Sequence, residues 1–290
     1  VRGVASACGS ATVVNAIASG RGAAFAVDLR VRAEVALTKK SRKIIGRIAD
    51  DPRESTKLIE ICVKKVLKQL KLDKVYGAKV TTRSQVPIAV GLSSSSAAAN
   101  ATVLATFVAL GKKPSATTAL NLGVDAAMEA GVTITGAFDD ASASFLGGGV
   151  VTDNFKRKIL KRFKVDPKLM VLIYVPQKKL YTSKIDAKKV KKLANFVNVA
   201  HKLALSGDVL SALTMNGLIY SRALGHDPTV AIEALDAGAI AAGLTGKGPA
   251  VVAIVEPKNL IDVKKNWSKR AGKIIITKPS KVGAKVEARA

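Results

Sequence analysis

From Val86 to Leu110 the chain carries no charged side chain; the stretch VPIAVGLSSSSAAANATVLATFVAL passes from a proline and a glycine through four serines into small and large apolar residues. A helix with no polar face cannot lie on a surface, so the remainder of the chain has to pack around it. The proline and the serines break the run before it reaches the length of a membrane span. Gly91 marks a turn, and the helix continues to about Leu110, stopped by Gly111 and Pro114. Ser115 is placed to cap a second helix running to Glu129.

Around this rod the pattern mixes strands and helices. From Phe25 to Leu37 apolar residues alternate with Asp28, Arg30, Arg32 and Glu34, the period of a half-buried strand. A shorter strand, Ala11 to Asn15, precedes it across the turn Ser19 to Gly22. The stripe Leu58, Ile59, Cys62, Val63, Val66, Leu67 and Leu70 predicts an amphipathic helix over 53–70, and Lys79 to Arg83 reads as a strand. A strand is expected over 143–152, then strands at 158–165 and 169–175. Helices follow at 187–206, 208–224 and 228–237, then a strand at 250–255, a helix at 259–271 and a strand at 273–278. Without regular βαβ alternation the class is α+β. The second half of the chain starts near Asn154, dividing it into residues 1–154 and 155–290.

The 290 residues include 47 Lys+Arg against 21 Asp+Glu, a formal net charge of +26 that leans to the second half. Aromatic residues make up 4%, too few for base-stacking platforms, so the lysines read as a solvated coat, with a nucleic-acid-binding module as the competing reading. Such a surface steers anionic small molecules inward. Cys8 and Cys62 are too few for a disulfide scaffold or a zinc site, and Cys62 belongs to a core stripe. No secretion signal is visible and a cytoplasmic protein is expected. His201 and His226 have no partners at catalytic spacing and are expected at the surface.

Three segments could carry chemistry. Gly91-Leu92-Ser93-Ser94-Ser95-Ser96-Ala97 opens the apolar helix, where unpaired amides and a partial positive charge favour phosphate oxygens; equally it is a serine-rich cap. Asp139 and Asp140 follow a glycine turn in an apolar region, and Glu129 lies ten residues earlier; a pair of turn carboxylates is the alternative. AGLTGKGPA, with Gly246 and Lys247, could wrap an anion or simply turn. The co-occurrence of all three is the argument.

Together they resemble the GHMP kinase superfamily. Its pattern P-x-x-x-G-L-x-S-S-x-A is matched from Pro87 to Ala97. The opening GSATVVNAIASGRGAAFAVDL, the strings GLSSSSAAANA and GVTITGAFDDASASFLGGGVVTDN, and AGLTGKGPAVVAIV are similar to the archaeal-type shikimate kinases within it. The resemblance implies an N-terminal half like ribosomal protein S5 domain 2 and a ferredoxin-like C-terminal half. It implies Mg²⁺ and ATP as cofactors, shikimate as substrate, and a homodimer, with no membrane and no specific nucleic acid. The nucleotide loop then falls on Pro87 and on Gly91 through Ala97, with Ser95 and Glu129 on the metal and Asp139 catalytic. Asn15 follows the first strand, where relatives often touch the substrate, or equally caps a turn. Gly246 and Lys247 belong to the third segment; Lys247 stands where relatives have Thr or Ser and either reaches the phosphates or substrate or is one more surface lysine. The shikimate carboxylate requires a basic partner, for which Arg222, alone among apolar residues in YSRALG, is the candidate, an exposed helix arginine being the alternative. Ser93 stands where much of the superfamily has glycine. Homoserine- or mevalonate-type kinases are the alternative within the superfamily.

Overall fold

A computed structural model describes residues 1–177 and 190–289. It begins with two long antiparallel strands, β1 (Arg2–Val14) and β2 (Arg21–Thr38). β2 is the spine of the first sheet: its second half pairs with β4 (Gly77–Ser84), which runs parallel to β3 (Ile44–Ile48), and its first half pairs with β5 (Gly149–Asp153), which pairs in turn with β6 (Lys158–Phe163). The alternation of buried and half-exposed residues expected in β2 holds from residue 30 onward. Residues 22–27 are buried on both faces. There α4 (Phe138–Leu146) and α5 (Ala194–Ser206) both pack on the strand.

The uncharged rod is α2 (Ser94–Ala109), and every residue in it is buried except Ser94, Ser95 and Ala98. It lies on β1 and β2 and is flanked by α1 (Lys57–Gln69), α3 (Ala116–Ala130) and α4. Alanines on both surfaces, Ala5, Ala7 and Ala33 on the strands and Ala101, Ala105 and Ala109 on the helix, make this contact. Small side chains allow close packing, and each larger one buried beside them, such as Val103 or Phe107, contributes about 1.5–3 kcal/mol. Ser115 caps α3 as its sequence predicts, accepting the Thr118 N–H at 3.1 Å.

The second sheet contains β7 (Met170–Pro176), β8 (Ala241–Leu244), β9 (Val251–Val255) and β10 (Gly272–Thr277), in the order β10-β7-β9-β8, all antiparallel. With α5, α6 (Val209–Ala223), α7 (Thr229–Asp236) and α8 (Leu260–Trp267) it forms the expected ferredoxin-like unit, so the class is α+β. β11 (Lys285–Arg289) then returns to the free edge of β1, completing seven strands in the first sheet among the described residues. One hydrophobic core runs from Val13, Phe25 and Leu92 to Leu172, Tyr220 and Trp267, so the two sheets share their interior. With a division after residue 154, which remains a proposal, β6 and β11 are contributions of the second part to the sheet of the first.

One expectation is corrected in kind: residues 143–146 belong to α4 and only 149–153 form a strand. Asp139 and Asp140 therefore occupy the first turn of a helix. The part of the helix expected at 187–206 that covers 187–189 lies outside the described residues.

Candidate active site

A cleft of about 420 Å³ opens where the N-termini of α2 and α4 meet the turn after β1 and the loop after β8. At the mouth of α2 the left-handed backbone of Ser93 (φ 57°) starts the helix, and no side chain caps it. Unlike the mouth of α3, this one leaves its first amides for another acceptor, and the partial charge of the helix end favours an anion there. The Ser93 hydroxyl turns instead to the Asp140 carboxylate. Ser93 through Ser96 all line the cleft. A left-handed φ costs a non-glycine residue about 1–2 kcal/mol. Ser93→Ala keeps that cost and loses the hydroxyl, whereas Ser93→Gly removes the cost. Thermal unfolding is therefore expected to rank Gly above Ala at 93 by about 1 kcal/mol, the reverse of an ordinary helix position.

Gly91 (φ +96°) lets this loop lean on its neighbour, since a β-carbon there would press on the Thr245 carbonyl oxygen. The buried Thr245 hydroxyl donates to the Gly91 carbonyl at 3.0 Å and accepts the Thr12 N–H at 2.9 Å. Ala250 N–H donates to the Val90 carbonyl at 3.0 Å. The first and third sequence segments are thus physically joined, and Gly246 and Lys247 reach the cleft. His226 supports the loop, its Nε2 lying 3.0 Å from the Lys247 carbonyl oxygen.

The second segment completes the cleft, with Asp139 buried and Asp140 half-buried. Asn154 Nδ2 donates to Asp139 Oδ1 at 2.8 Å, and Asp139 Oδ2 lies over Gly22, where a β-carbon would sit 2.5 Å away. Burial, and then the adjacent Asp140 charge, push the Asp139 carboxyl up to about 7, with the Asn154 amide opposing. Asp140 is also raised by burial, but the hydroxyls of Ser93, Ser10 and Thr12 and the Lys247 ammonium act against the rise. Ser10 Oγ donates to Asp140 Oδ1 at 2.9 Å. Burial lowers the Lys247 pKa while Asp140 raises it. Two neighbouring carboxyls in unequal surroundings suit unequal tasks: Asp139, poised near neutrality, fits proton transfer, and Asp140 ties the α2 loop to β1.

The cleft therefore gathers Asn15, Gly91, Ser93 to Ser96, Asp139, Gly246 and Lys247. Leu92 and Ala97 are buried beneath the loop, and Pro87 does not line the cleft. Asn15 lines it with its amide already committed, Nδ2 donating to the Gly246 carbonyl at 2.7 Å and Oδ1 accepting the Ile17 N–H at 2.9 Å. Glu129 is not with the others: its side chain is half exposed and ion-paired with Lys65 at 2.8 Å, because its face of α3 looks toward α1. Arg222 sits exposed near the end of α6, away from the cleft. The histidines depart from a surface placement. His201 is buried on the inner face of α5, its Nε2 3.2 Å from the Thr152 carbonyl oxygen, and His226 is half-buried. Sequence reasoning missed Ser10, Thr12, Gly22, Thr245 and Asn154. The available signal was Thr152 and Asn154, which are two apart where β5 ends and so lie on one face, opposite to Asp153.

Family models match twice, GHMP kinases N terminal domain over residues 57–148 and GHMP kinases C terminal over 193–273. The chain belongs to the GHMP kinases. A shikimate kinase of Methanothermobacter thermautotrophicus is 44% identical to this GHMP kinase over 283 residues, covering 96% of each chain. The fold is shared with a homoserine kinase from Cytophaga hutchinsonii (TM-score 0.75, 19% identity, 99% of this chain and 97% of that one). It is shared as well with the Methanococcus jannaschii mevalonate kinase (TM-score 0.74, 18% identity, 96% and 98%). As a kinase the protein takes its phosphoryl group from ATP. Among the described residues no helix is long and apolar enough to cross a membrane.

Proposed function

We propose that this GHMP kinase transfers the γ-phosphoryl group of ATP to the 3-hydroxyl of shikimate, giving shikimate 3-phosphate. The observation that carries the reading is the uncapped mouth of α2 facing the same cleft as Asp139 and Lys247. Similarity to a shikimate kinase over 96% of both chains supports the choice of acceptor. Phosphate oxygens take the amides at Gly91 and Ser93 to Ser96 and the hydroxyls of Ser94 to Ser96. The apolar end of the cleft, Ile48, Leu58, Ile59 and Ile88, receives the adenine. Asp139 accepts the acceptor hydroxyl's proton as the oxygen attacks phosphorus. Lys247, the one cationic side chain lining the cleft among the described residues, supplies positive charge for the transferring group or the shikimate carboxylate, and Asn15 with Gly246 holds the loop that carries it.

The described residues include no cluster of three or more His, Cys, Asp or Glu able to hold an ion by themselves. That composition fits Mg²⁺ arriving on the nucleotide, with the Ser95 hydroxyl as the protein's contact; Glu129, paired with Lys65 outside the cleft, does not fit the role. Bound there, the ion neutralises charge on the phosphates. Ser95→Ala is expected to raise the Mg²⁺ concentration giving half-maximal rate about 5–20-fold, measured by titration at saturating ATP and shikimate. An unchanged midpoint removes Ser95 from the metal's coordination.

The acceptor is tested by following ADP formation with shikimate, homoserine and mevalonate offered separately with MgATP. Turnover with shikimate alone is expected. Turnover with homoserine or mevalonate and none with shikimate rejects the acceptor.

A further inference from the structure

Asn154 follows β5, with no place in the phosphate loop and none in the acid pair. It is nevertheless buried, and its side chain is used on every side. Its Oδ1 accepts the Thr152 hydroxyl at 2.7 Å and the Asp139 backbone N–H at 3.2 Å. An oxygen that receives two donors cannot be an NH₂ group, so the orientation of the amide is fixed by its surroundings. The NH₂ must then face the Asp139 carboxylate, and it does so at 2.8 Å, with the Thr135 hydroxyl at 3.4 Å. The backbone of Asn154 is held as well, its N–H donating to the Gly20 carbonyl at 2.7 Å. Thr152 is anchored in the same way: its hydroxyl also lies 3.2 Å from the Gly22 carbonyl oxygen, and its own carbonyl meets His201 on α5. The result is a rigid chain, Thr152 to Asn154 to Asp139, resting on β2 and α5.

Resting on the reading of Asp139 as the proton acceptor, we propose that Asn154 is the positioning residue of this kinase: its amide, locked by Thr152, holds Oδ1 of Asp139 and so directs the carboxylate at the acceptor hydroxyl. A donor bonded to the carboxylate also favours its charged form, which burial and Asp140 disfavour. The charged and titratable groups around Asp139 are Asp140 beside it on α4, the Tyr220 phenol of α6, and Lys247 facing Asp140 from the loop after β8. Behind Thr152 lies His201, whose pKa burial lowers. Tyr220 is raised by burial, beyond the range of the assay.

The test is the pH profile of kcat with MgATP and shikimate for the wild type, Asn154→Asp, Thr152→Val and Asp139→Asn. Asn154→Asp keeps the shape and exchanges the donor for an acid. It is expected to lower kcat at pH 7 about 30–100-fold and to move the acidic limb upward by about one pH unit or more, with KM for ATP within about twofold. Thr152→Val leaves the amide in place and removes what locks it; a loss of about 3–10-fold is expected, with a smaller shift in the same direction. A purely structural role would lower the folded fraction and leave the limb where it is. Asp139→Asn with wild-type turnover overturns the assignment of Asp139 itself. An inactive Asp139→Asn together with unmoved limbs in both other variants overturns the role of Asn154 alone.

Discussion

Asp139→Asn is expected to abolish most of the activity and, at the same pH, to make the protein more stable. A positioned proton acceptor is worth about 10²–10⁴-fold in rate, and kcat should fall by that much at pH 8. The stability gain follows from the same burial. The folded protein raises the Asp139 pKa to about 7 from its ordinary 3.8, so between those values the folded state holds a proton that the unfolded state has released. Stability is therefore lost as pH rises through that window, and the cost persists above it. An asparagine has no charge to desolvate, relieves Asp140 of its neighbour's repulsion, and can still accept from Asn154. Thermal unfolding at pH 8 should move up by about 2–6 °C, with the gap closing near pH 4. In the wild type the same titration makes kcat rise with pH through about 7 and then level. A variant that loses activity and stability together at pH 8 contradicts the account of Asp139 as a strained, functional acid.

The second large effect is expected at Gly91. Alanine there meets two penalties, a left-handed φ of +96° and a β-carbon pressed on the Thr245 carbonyl oxygen. The Thr245 carbonyl and the nearby Gly248 N–H are backbone, not flexible side chains, so relief requires the loop and its neighbour to part. That movement breaks the Thr245 bonds to Gly91 and Thr12 and moves the α2 mouth away from Lys247. A loss of about 3 kcal/mol or more is expected, read as a Tm fall of about 6–12 °C, with KM for ATP raised at least about tenfold in the folded fraction. Wild-type Tm and KM would show that the two loops are not clamped together as described.

How far the chain could be read before its fold was known depended on whether a residue's neighbours are local. The rod α2 is legible because a charge-free helix has a single fate, and Ser115 is legible because a cap acts within three residues. The first half of β1 was missed for a physical reason. Residues 3–10 are alanine, glycine, serine, one valine and one cysteine, buried on both faces, so neither β-branched content nor alternation marks them. The acids were found, but their setting was not: a glycine turn before two aspartates suits a loop as well as the first turn of α4. The resemblance puts Glu129 on the metal, whereas its direction depends on which face of α3 meets α1. His201 was misplaced because nothing near it in sequence announces the Thr152 carbonyl across the fold. Asn154 belongs to the same class: its meaning is its contact with Asp139.

In the proposed complex nucleotide phosphates seat on the amides at the mouth of α2 while the acceptor hydroxyl lies between them and Asp139. A crystal structure of the enzyme with a non-hydrolysable ATP analogue, Mg²⁺ and shikimate tests it directly. The terminal phosphate is expected on the amides of Ser93 to Ser96 and the shikimate 3-hydroxyl within hydrogen-bond reach of an Asp139 oxygen. Phosphates bound elsewhere, or a shikimate whose 3-hydroxyl points away from Asp139 in the closed complex, would contradict it.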